Sequence, residues 1–378
     1  MKIAVVRNRK NEGVVSRVGR PCRERYGRTS VQSVMNALRA GGHHVKVLEG
    51  DMTLLPELLD FMPPHTETGD PTGLVFNMSY GIQGDGRYLH VPGMLEMAGV
   101  PYTGSNPRVH GVCLDKIMTK LALQWVGVPT PRFCSMWSLD DFDPTLRFPL
   151  VVKPRHESTS MGLALVEDEV ELAAAVAHIV QEFGQDALVE EYIDGREVAI
   201  AMLGSGEPEI LPFVELDFGG RAVRILTKKD KFHKTEDEPD KVCPARLEPA
   251  LEAELRDYAL RAWRACGCTD YARLDVRIDR AGRPYALEIN SMASLGGGGA
   301  FVLAAKTAGY SFEDLVNRIV DIAHHRYFGC PAPRAEIDDI EWLAHVDLDP
   351  DLDSDSDGIS AESPSVGSPG QHGFGQSE

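Results

Sequence analysis

Asp275, Glu288 and Asn290, with Arg273 beside them, are the side chains whose types and spacing most directly suggest chemistry. Two carboxylates and an amide supply the oxygen ligands that a hard divalent cation such as Mg²⁺ takes together with phosphate oxygens. The stretch 273–290 reads as two strands joined by a tight turn. Leu274, Val276 and Ile278 alternate with Arg273, Asp275, Arg277 and Asp279, which is the period of a strand. Gly282 and Pro284 punctuate the middle. Pairing across a short loop between Asp279 and Pro284 sets Asp275 opposite Glu288, Arg273 opposite Asn290, Leu274 opposite Ile289 and Val276 opposite Leu287. One face is then aliphatic and packs on a core, while the other holds two acids face to face. Like charges directly opposite in a ladder are destabilising, and a cation between them reverses the sign of that term. A solvated hairpin face shows the same alternation. However, Asn290 runs through Ser291-Met292-Ala293-Ser294-Leu295 into four glycines, 296–299. Those glycines let backbone approach a ligand and supply no packing.

Phosphate chemistry is suggested a second time, at 149–162. Pro149-Leu150-Val151-Val152-Lys153-Pro154 reads as a buried strand ending in a lysine, followed by Arg155-His156-Glu157-Ser158-Thr159-Ser160-Met161-Gly162. An ammonium neutralises phosphate charge, and hydroxyls and backbone N–H groups cradle its oxygens. No G-x-x-x-x-G-K-[ST] loop occurs, so this is not a P-loop site, and 76–87 is not the G-x-G-x-x-G dinucleotide fingerprint.

Arg-x-Asp, a hairpin, Glu-x-Asn and a small-residue loop together resemble the metal site of the ATP-grasp superfamily. Within it the chain is similar to the D-alanine–D-alanine ligases up to about Tyr327. The resemblance implies an α/β (α+β) fold of ATP-grasp type, with an N-terminal Rossmann-like parallel-sheet domain plus two α+β domains clasping ATP. The boundaries expected are 1–105, 106–198 and 199–328, with an acidic disordered tail at 329–378. It also implies roles. Lys116, Lys153 and Lys231 would face the triphosphate. Glu190 and the backbone at Tyr192 and Ile193 would meet adenine, and Glu197 the ribose. Asp275, Glu288 and Asn290 would hold one or two Mg²⁺ (or Mn²⁺) ions. Arg273 would stabilise the transferring group, and Thr159, with Ser160 next to it, would reach the substrates.

On the substrate side the resemblance points to Tyr80 and Gly81 in the loop after the third strand, and to Pro101-Tyr102-Thr103-Gly104-Ser105 after it. Four positions depart from the family pattern. A gapless match puts Arg23 where the family has a substrate-binding glutamate, with Glu24 adjacent. Phe232 replaces a tyrosine, Ala293-Ser294 replace Pro-Gly, and Gly299 replaces a serine.

Around these residues the chain must build its supports. Ile3–Val6, His44–Leu48 and Gly73–Met78 read as strands, and Ser30–Ala40 and Leu95–Gly99 as helical. This alternation argues for a parallel sheet covered by helices. Asp115-Lys116 opens a helix that Gly127 and Pro129 end. Glu169–Gly184, Leu251–Cys266 and Phe312–His325 read as helices; Leu188-Val189 begins a strand, and Val198–Leu203 and Ile210–Glu215 are strands of a further sheet. The loop Arg7–Arg28 holds eight basic and two acidic residues and reads as mobile and solvated.

Composition narrows the classes. With 43% hydrophobic and 25% charged residues the chain is globular, and no apolar run of about 18 residues marks a membrane span. Seven scattered cysteines without zinc-site spacing, and no leader-like start, fit a reducing cytoplasm. The net charge of −18 is concentrated: twelve acids and no Lys or Arg follow position 334, leaving −6 on the rest. Nucleic acid is therefore not an expected partner. Asp353–Gly358 mimics half an EF-hand loop, but position 364 is Pro where the closing Glu is required.

The reading is an ATP-dependent carboxylate–amine ligase forming an amide through an acyl phosphate, with amino-acid-like substrates. Because the departures cluster on the substrate side, those substrates are expected to differ from two D-alanines. A genuine D-alanine–D-alanine ligase of cell-wall synthesis, a non-catalytic nucleotide-binding protein and an ATP-grasp carboxylating enzyme are the rivals. The resemblance also implies a homodimer.

Overall fold

The computed structural model describes residues 1–221, 223–225 and 239–334. Three sheets organise them. The first is parallel, with β1 (Lys2–Arg7) between β2 (His44–Glu49) and β3 (Gly73–Asn77). Alternate residues of β1 go to opposite faces, yet both sets are buried. Ile3 and Val5 pack toward α1 (Arg28–Ala40), while Ala4 and Val6 pack toward α2 (Leu54–Phe61) and α3 (His90–Ala98). A parallel strand covered on both faces reads as a continuous apolar run for this reason.

Helices α4 (Pro107–Leu114) and α5 (Lys116–Trp125) lead to the second sheet. Its antiparallel order is β4 (Phe133–Met136), β7 (Ala187–Glu191), β5 (Leu150–Pro154) and β6 (Ala164–Val166). One face buries Leu150, Val152 and Val189 against Leu172, Val176 and Ile179 of α6 (Glu169–Phe183). Asp168 starts α6 by accepting from Val170 and Glu171 N–H, and left-handed Gly184 stops it.

The third sheet runs in the order β11 (Asp240–Val242), β10 (Val214–Asp217), β8 (Gly195–Gly204), β12 (Asp270–Asp279) and β13 (Pro284–Asn290), with β9 (Glu209–Ile210) on β8. The expected boundary at 198 lies within β8. One face packs on α7 (Pro249–Cys266), whose Trp263 is almost fully enclosed. The other meets α8 (Ala300–Thr307) and α9 (Phe312–Phe328) in a core shared with β1 and α1.

Two expectations about these strands change. Ile210–Glu215 is not one strand: pairing stops after Ile210 and resumes at Val214. Pro212 lies between and cannot donate to a ladder. In the β12–β13 hairpin, Arg273 pairs with Asn290, Leu274 with Ile289 and Asp275 with Glu288, as the alternation predicts. Val276, however, faces Ala286 rather than Leu287, because the register shifts between Asp275 and Val276. A bulge re-aims a side chain at a sheet edge, and the extra residue, Leu287, is turned onto the wall of the cleft described below. Among the described residues no helix is long and apolar enough to cross a membrane. All seven cysteines are free.

Candidate active site

A cleft opens between the second and third sheets. Lys116, Lys153, Thr159, Ser160, Glu190, Tyr192, Ile193, Glu197, Asp275 and Glu288 all line it, drawn from α5, β5, β7, β8 and the hairpin. Residues up to 172 positions apart in the chain thus converge.

The hairpin supplies the acid end. Both nitrogens of the Arg273 fork donate to the two Asp275 oxygens at 2.6 Å. Asn290 Nδ2 lies 3.0 Å from Asp275 Oδ2 and 3.5 Å from Glu288 Oε1, so the amide bridges the facing carboxylates. Arg273 and Asn290 touch Asp275 and do not themselves line the cleft. Among the described residues no three His, Cys, Asp or Glu side chains converge as a metal site by themselves. The hairpin set is two acids and an amide, and such a set fits a hard cation whose remaining ligands are phosphate oxygens.

The opposite wall is cationic and deeply buried. Lys153 Nζ pairs with Glu190 Oε1 at 2.6 Å, and Lys120 Nζ pairs with Glu190 Oε2 at 2.6 Å. Lys120, which is fully enclosed, also donates to Thr130 Oγ1 at 2.7 Å. Burial alone would raise the Glu190 carboxyl, but the two ammonium groups overcome it and hold it down to about 2. Burial lowers Lys120 to about 8, against the pull of Glu190. Lys120 lies four residues after Lys116 on one helix, and residues at that spacing share a face. That spacing was the available signal; an isolated lysine otherwise reads as solvated.

The loop after β5 is a tight turn. Thr159 and Ser160 both have left-handed backbone, with φ of 54° and 58°, and Met161 N–H donates to Ser158 O at 3.2 Å. Two successive positive φ values define a type I′ turn, and holding non-glycine residues there costs of the order of 1–3 kcal/mol each. The turn is fixed from both sides. Gly162, at φ 67°, closes it where a Cβ would come within 2.8 Å of Phe183 and Pro154. Asp115, the cap of α5, accepts from Arg155 at 2.9 and 2.7 Å. Burial works against ionising Asp115, yet hydrogen bonds from His156, Arg155 and the Met118 amide hold its carboxyl well below the usual range. Lys116 Nζ donates to the Glu157 carbonyl.

Arg277 is a further cleft residue, two positions after Asp275 and therefore on the same strand face. Its guanidinium sits 5.2 Å from the Tyr192 ring and 3.0 Å from Glu197.

The substrate-side candidates form a separate group around the first loop. Most of that loop is exposed, as its composition suggests, but several of its side chains are tied to the rest of the chain. Arg20 donates to Glu182 O at 2.5 Å and Gln181 O at 3.1 Å, and Arg23 pairs with Glu182 at 2.6 Å. Cations are favoured at a helix C-terminus, and this is the last turn of α6. Arg23 therefore points away from the cleft. Glu24 points inward, where it accepts from Arg87, Tyr88 and Ser158. Tyr80 stacks between Tyr26 and Tyr88, with ring centroids 4.9 and 5.2 Å away. Gly81, at φ 76°, passes so near the Arg87 carbonyl that a Cβ would lie 2.1 Å from it. Ser294 Oγ accepts from Gly296 N–H at 3.2 Å, and Gly299 caps α8. None of Glu24, Tyr80, Gly81, Ser294 or Gly299 lines the cleft itself. Lys231 and Phe232 lie outside the described residues.

The family model described as “D-ala D-ala ligase C-terminus” matches residues 124–321, covering β4 to most of α9. The chain is also 31% identical over 304 residues to the D-alanine–D-alanine ligase of Carboxydothermus hydrogenoformans, across 76% of this chain and 90% of that one. It belongs to the D-alanine–D-alanine ligase family. It is accordingly an enzyme of the ligase class with the ATP-grasp fold. A solved structure of the Bacillus anthracis family member complexed with ATP matches with a TM-score of 0.66 at 22% identity, over 86% of this chain and 97% of that one. A further relative, the uncharacterized protein y4sG of Sinorhizobium fredii, is 49% identical over 338 residues, covering 87% and 98% of the two chains.

Proposed function

We propose that this enzyme transfers the γ-phosphoryl group of ATP to a substrate carboxylate and then joins the resulting acyl group to an amine. A carboxylate oxygen attacks the γ-phosphorus and ADP leaves. The amine nitrogen then attacks the acyl carbon, phosphate leaves with the C–O bonding pair, and the nitrogen's proton passes to solvent. The observation that carries this reading is the cleft with two facing acids on one wall and Lys116 and Lys153 on the other. Asp275, Glu288 and Asn290 would hold Mg²⁺, which neutralises phosphate charge when bound. Lys116 and Lys153 offset the same charge from the other side, with Lys231 as a third candidate. Glu190, Tyr192, Ile193 and Glu197 would take the adenosine end. No side-chain nucleophile is required, since positioning and fixed charge supply the rate enhancement. A cytoplasmic homodimer, as the family resemblance implies, completes the reading.

The substrates proposed are small amino-acid-like molecules, with at least one other than D-alanine. Gly299 offers no hydroxyl where the family pattern has a serine. Phosphate release from ATP, measured across a panel of D- and L-amino acids with their 2-hydroxy and N-acyl counterparts as acid and amino acids as amine, tests both parts. The expected result is amine-dependent release with a pair other than two D-alanines. Clear preference for D-alanine on both sides would return the chain to the plain family activity, and no release with any pair would favour a binding role.

Lys120 supplies a pH-dependent check. Its folded value of about 8 lies below the ordinary 10.5, so the unfolded chain binds more protons between those limits. Its burial therefore costs stability below about pH 8, and that cost fades as pH rises toward 10.5. Function runs the other way: above about pH 8 Lys120 loses its proton and its hold on Glu190. The KM for ATP is expected to rise across that range. Lys120→Met should raise KM about tenfold at pH 7, equivalent to about 1.4 kcal/mol, and abolish the inflection. An unchanged pH profile in that variant would remove Lys120 from nucleotide binding.

A further inference from the structure

The cluster around Glu24 joins the first loop, the segment after β3 and the phosphate-side turn. Arg87 is 2% exposed and Glu24 6% exposed. Arg87 Nη2 donates to Glu24 Oε1 at 2.5 Å, and Tyr88 Oη donates to Glu24 Oε2 at 2.6 Å. Ser158 Oγ, from the wall of the cleft, donates to the same Oε2. The guanidinium also reaches Glu157 Oε2 at 3.2 Å, and Gln185 Nε2 takes the other Glu157 oxygen at 2.9 Å.

Two acids from separate loops thus share one buried guanidinium. A carboxylate has about four lone-pair sites, and three on Glu24 are filled, one by a full positive charge. The site that remains is on Oε1, which Arg87 already holds at 2.5 Å, so an ammonium arriving at Glu24 must either meet that like charge or displace it. Displacement would strand a buried guanidinium and would leave Glu24 and Glu157 uncompensated. Breaking a buried pair by removing one partner is strongly destabilising, so Arg87 is a fixture. Three acids that line the cleft are also held by cations: Glu190 by Lys120 and Lys153, Glu197 by Arg277, and Asp275 by Arg273.

Resting on the ligase reading above, we propose that Arg87 is a specificity-determining residue. Its guanidinium is a resident cation at Glu24 that excludes a substrate ammonium there. The carboxylate substrate is then an acid without a free α-ammonium, such as a 2-hydroxy acid or an N-acylated amino acid.

The test uses the full-length enzyme with ATP, Mg²⁺ and hydroxylamine, which attacks an acyl phosphate to give a hydroxamate and free phosphate. Both enantiomers of alanine, phenylalanine and aspartate are compared with their 2-hydroxy and N-acetyl counterparts. The expected result is at least tenfold higher kcat/KM for an acid lacking the ammonium than for its amino-acid counterpart. Arg87→Gln is expected to move that ratio at least tenfold toward the amino acid, a change in discrimination that a merely structural role would not produce. If Arg87→Gln does not fold, the wild-type comparison decides alone. Amino acids preferred by the wild type, or a ratio within tenfold, would overturn the proposal while leaving the ligase reading intact. No hydroxamate from any acid would overturn the ligase reading, and this proposal with it.

Discussion

Asp275→Asn combined with Glu288→Gln is expected to lower ATP-dependent ADP release about a thousandfold or more, equivalent to about 4 kcal/mol of transition-state stabilisation. The two residues are direct partners across the β12–β13 ladder, and Asn290 touches both. Amides keep the shape and remove both negative charges, which a hard cation needs more than it needs the oxygens themselves. Glu288 also acts electrostatically on Lys116 and Lys153, favouring their charged forms. Losing it weakens the opposite wall, so metal-free nucleotide binding should change by no more than about tenfold, or 1.4 kcal/mol. The strands remain tied by their backbone ladder, and Leu274 and Val276 stay in the core beneath. A native circular-dichroism spectrum with lost turnover is therefore the expected pairing. Normal Mg²⁺-dependent turnover in the folded double variant would refute the metal assignment.

This hairpin was legible because two independent rules agree on it. Alternation sets the facing of each side chain, and a short turn sets the register. The bulge at Val276 was not legible, because one extra residue leaves the alternation on each strand intact and only moves Leu287 relative to its partner. Lys153 was legible for a similar reason: a charged residue ending an apolar strand must emerge somewhere. Glu190 was found by resemblance, but its second lysine was not. Lys120 is surrounded by α5 residues that look like any amphipathic helix, and its partner lies 70 positions further on.

The first loop shows the limit most clearly. Its basic composition argues for solvent and most of it is exposed, but Arg20 reaches carbonyls at 181 and 182 and Glu24 reaches Ser158 and Arg87. Long-range contacts of this kind leave no local periodicity to read. A gapless count placed Arg23 where the acid should be, while the chain turns Glu24 inward instead.

Arg273→Met is expected to lower kcat by about 10²–10³, through loss of the fork that fixes Asp275, on the scale of removing one pre-organised electrostatic group. The KM for ATP should stay within a few fold, since Arg273 is held by Asp275 and does not line the cleft. Two bonds of 2.6 Å to both Asp275 oxygens make this a bidentate pair. A lysine carries the charge but not the planar fork, so Arg273→Lys should recover only about tenfold of the loss. The pair also predicts non-additivity. In an Asp275→Asn background Arg273→Met should cost less than alone, because groups in one hydrogen-bonded unit do not contribute independently. Additive losses would mean that Arg273 acts on the reacting groups without passing through Asp275. Wild-type kcat in a folded Arg273→Met enzyme would mean that the guanidinium serves only to let Asp275 be buried.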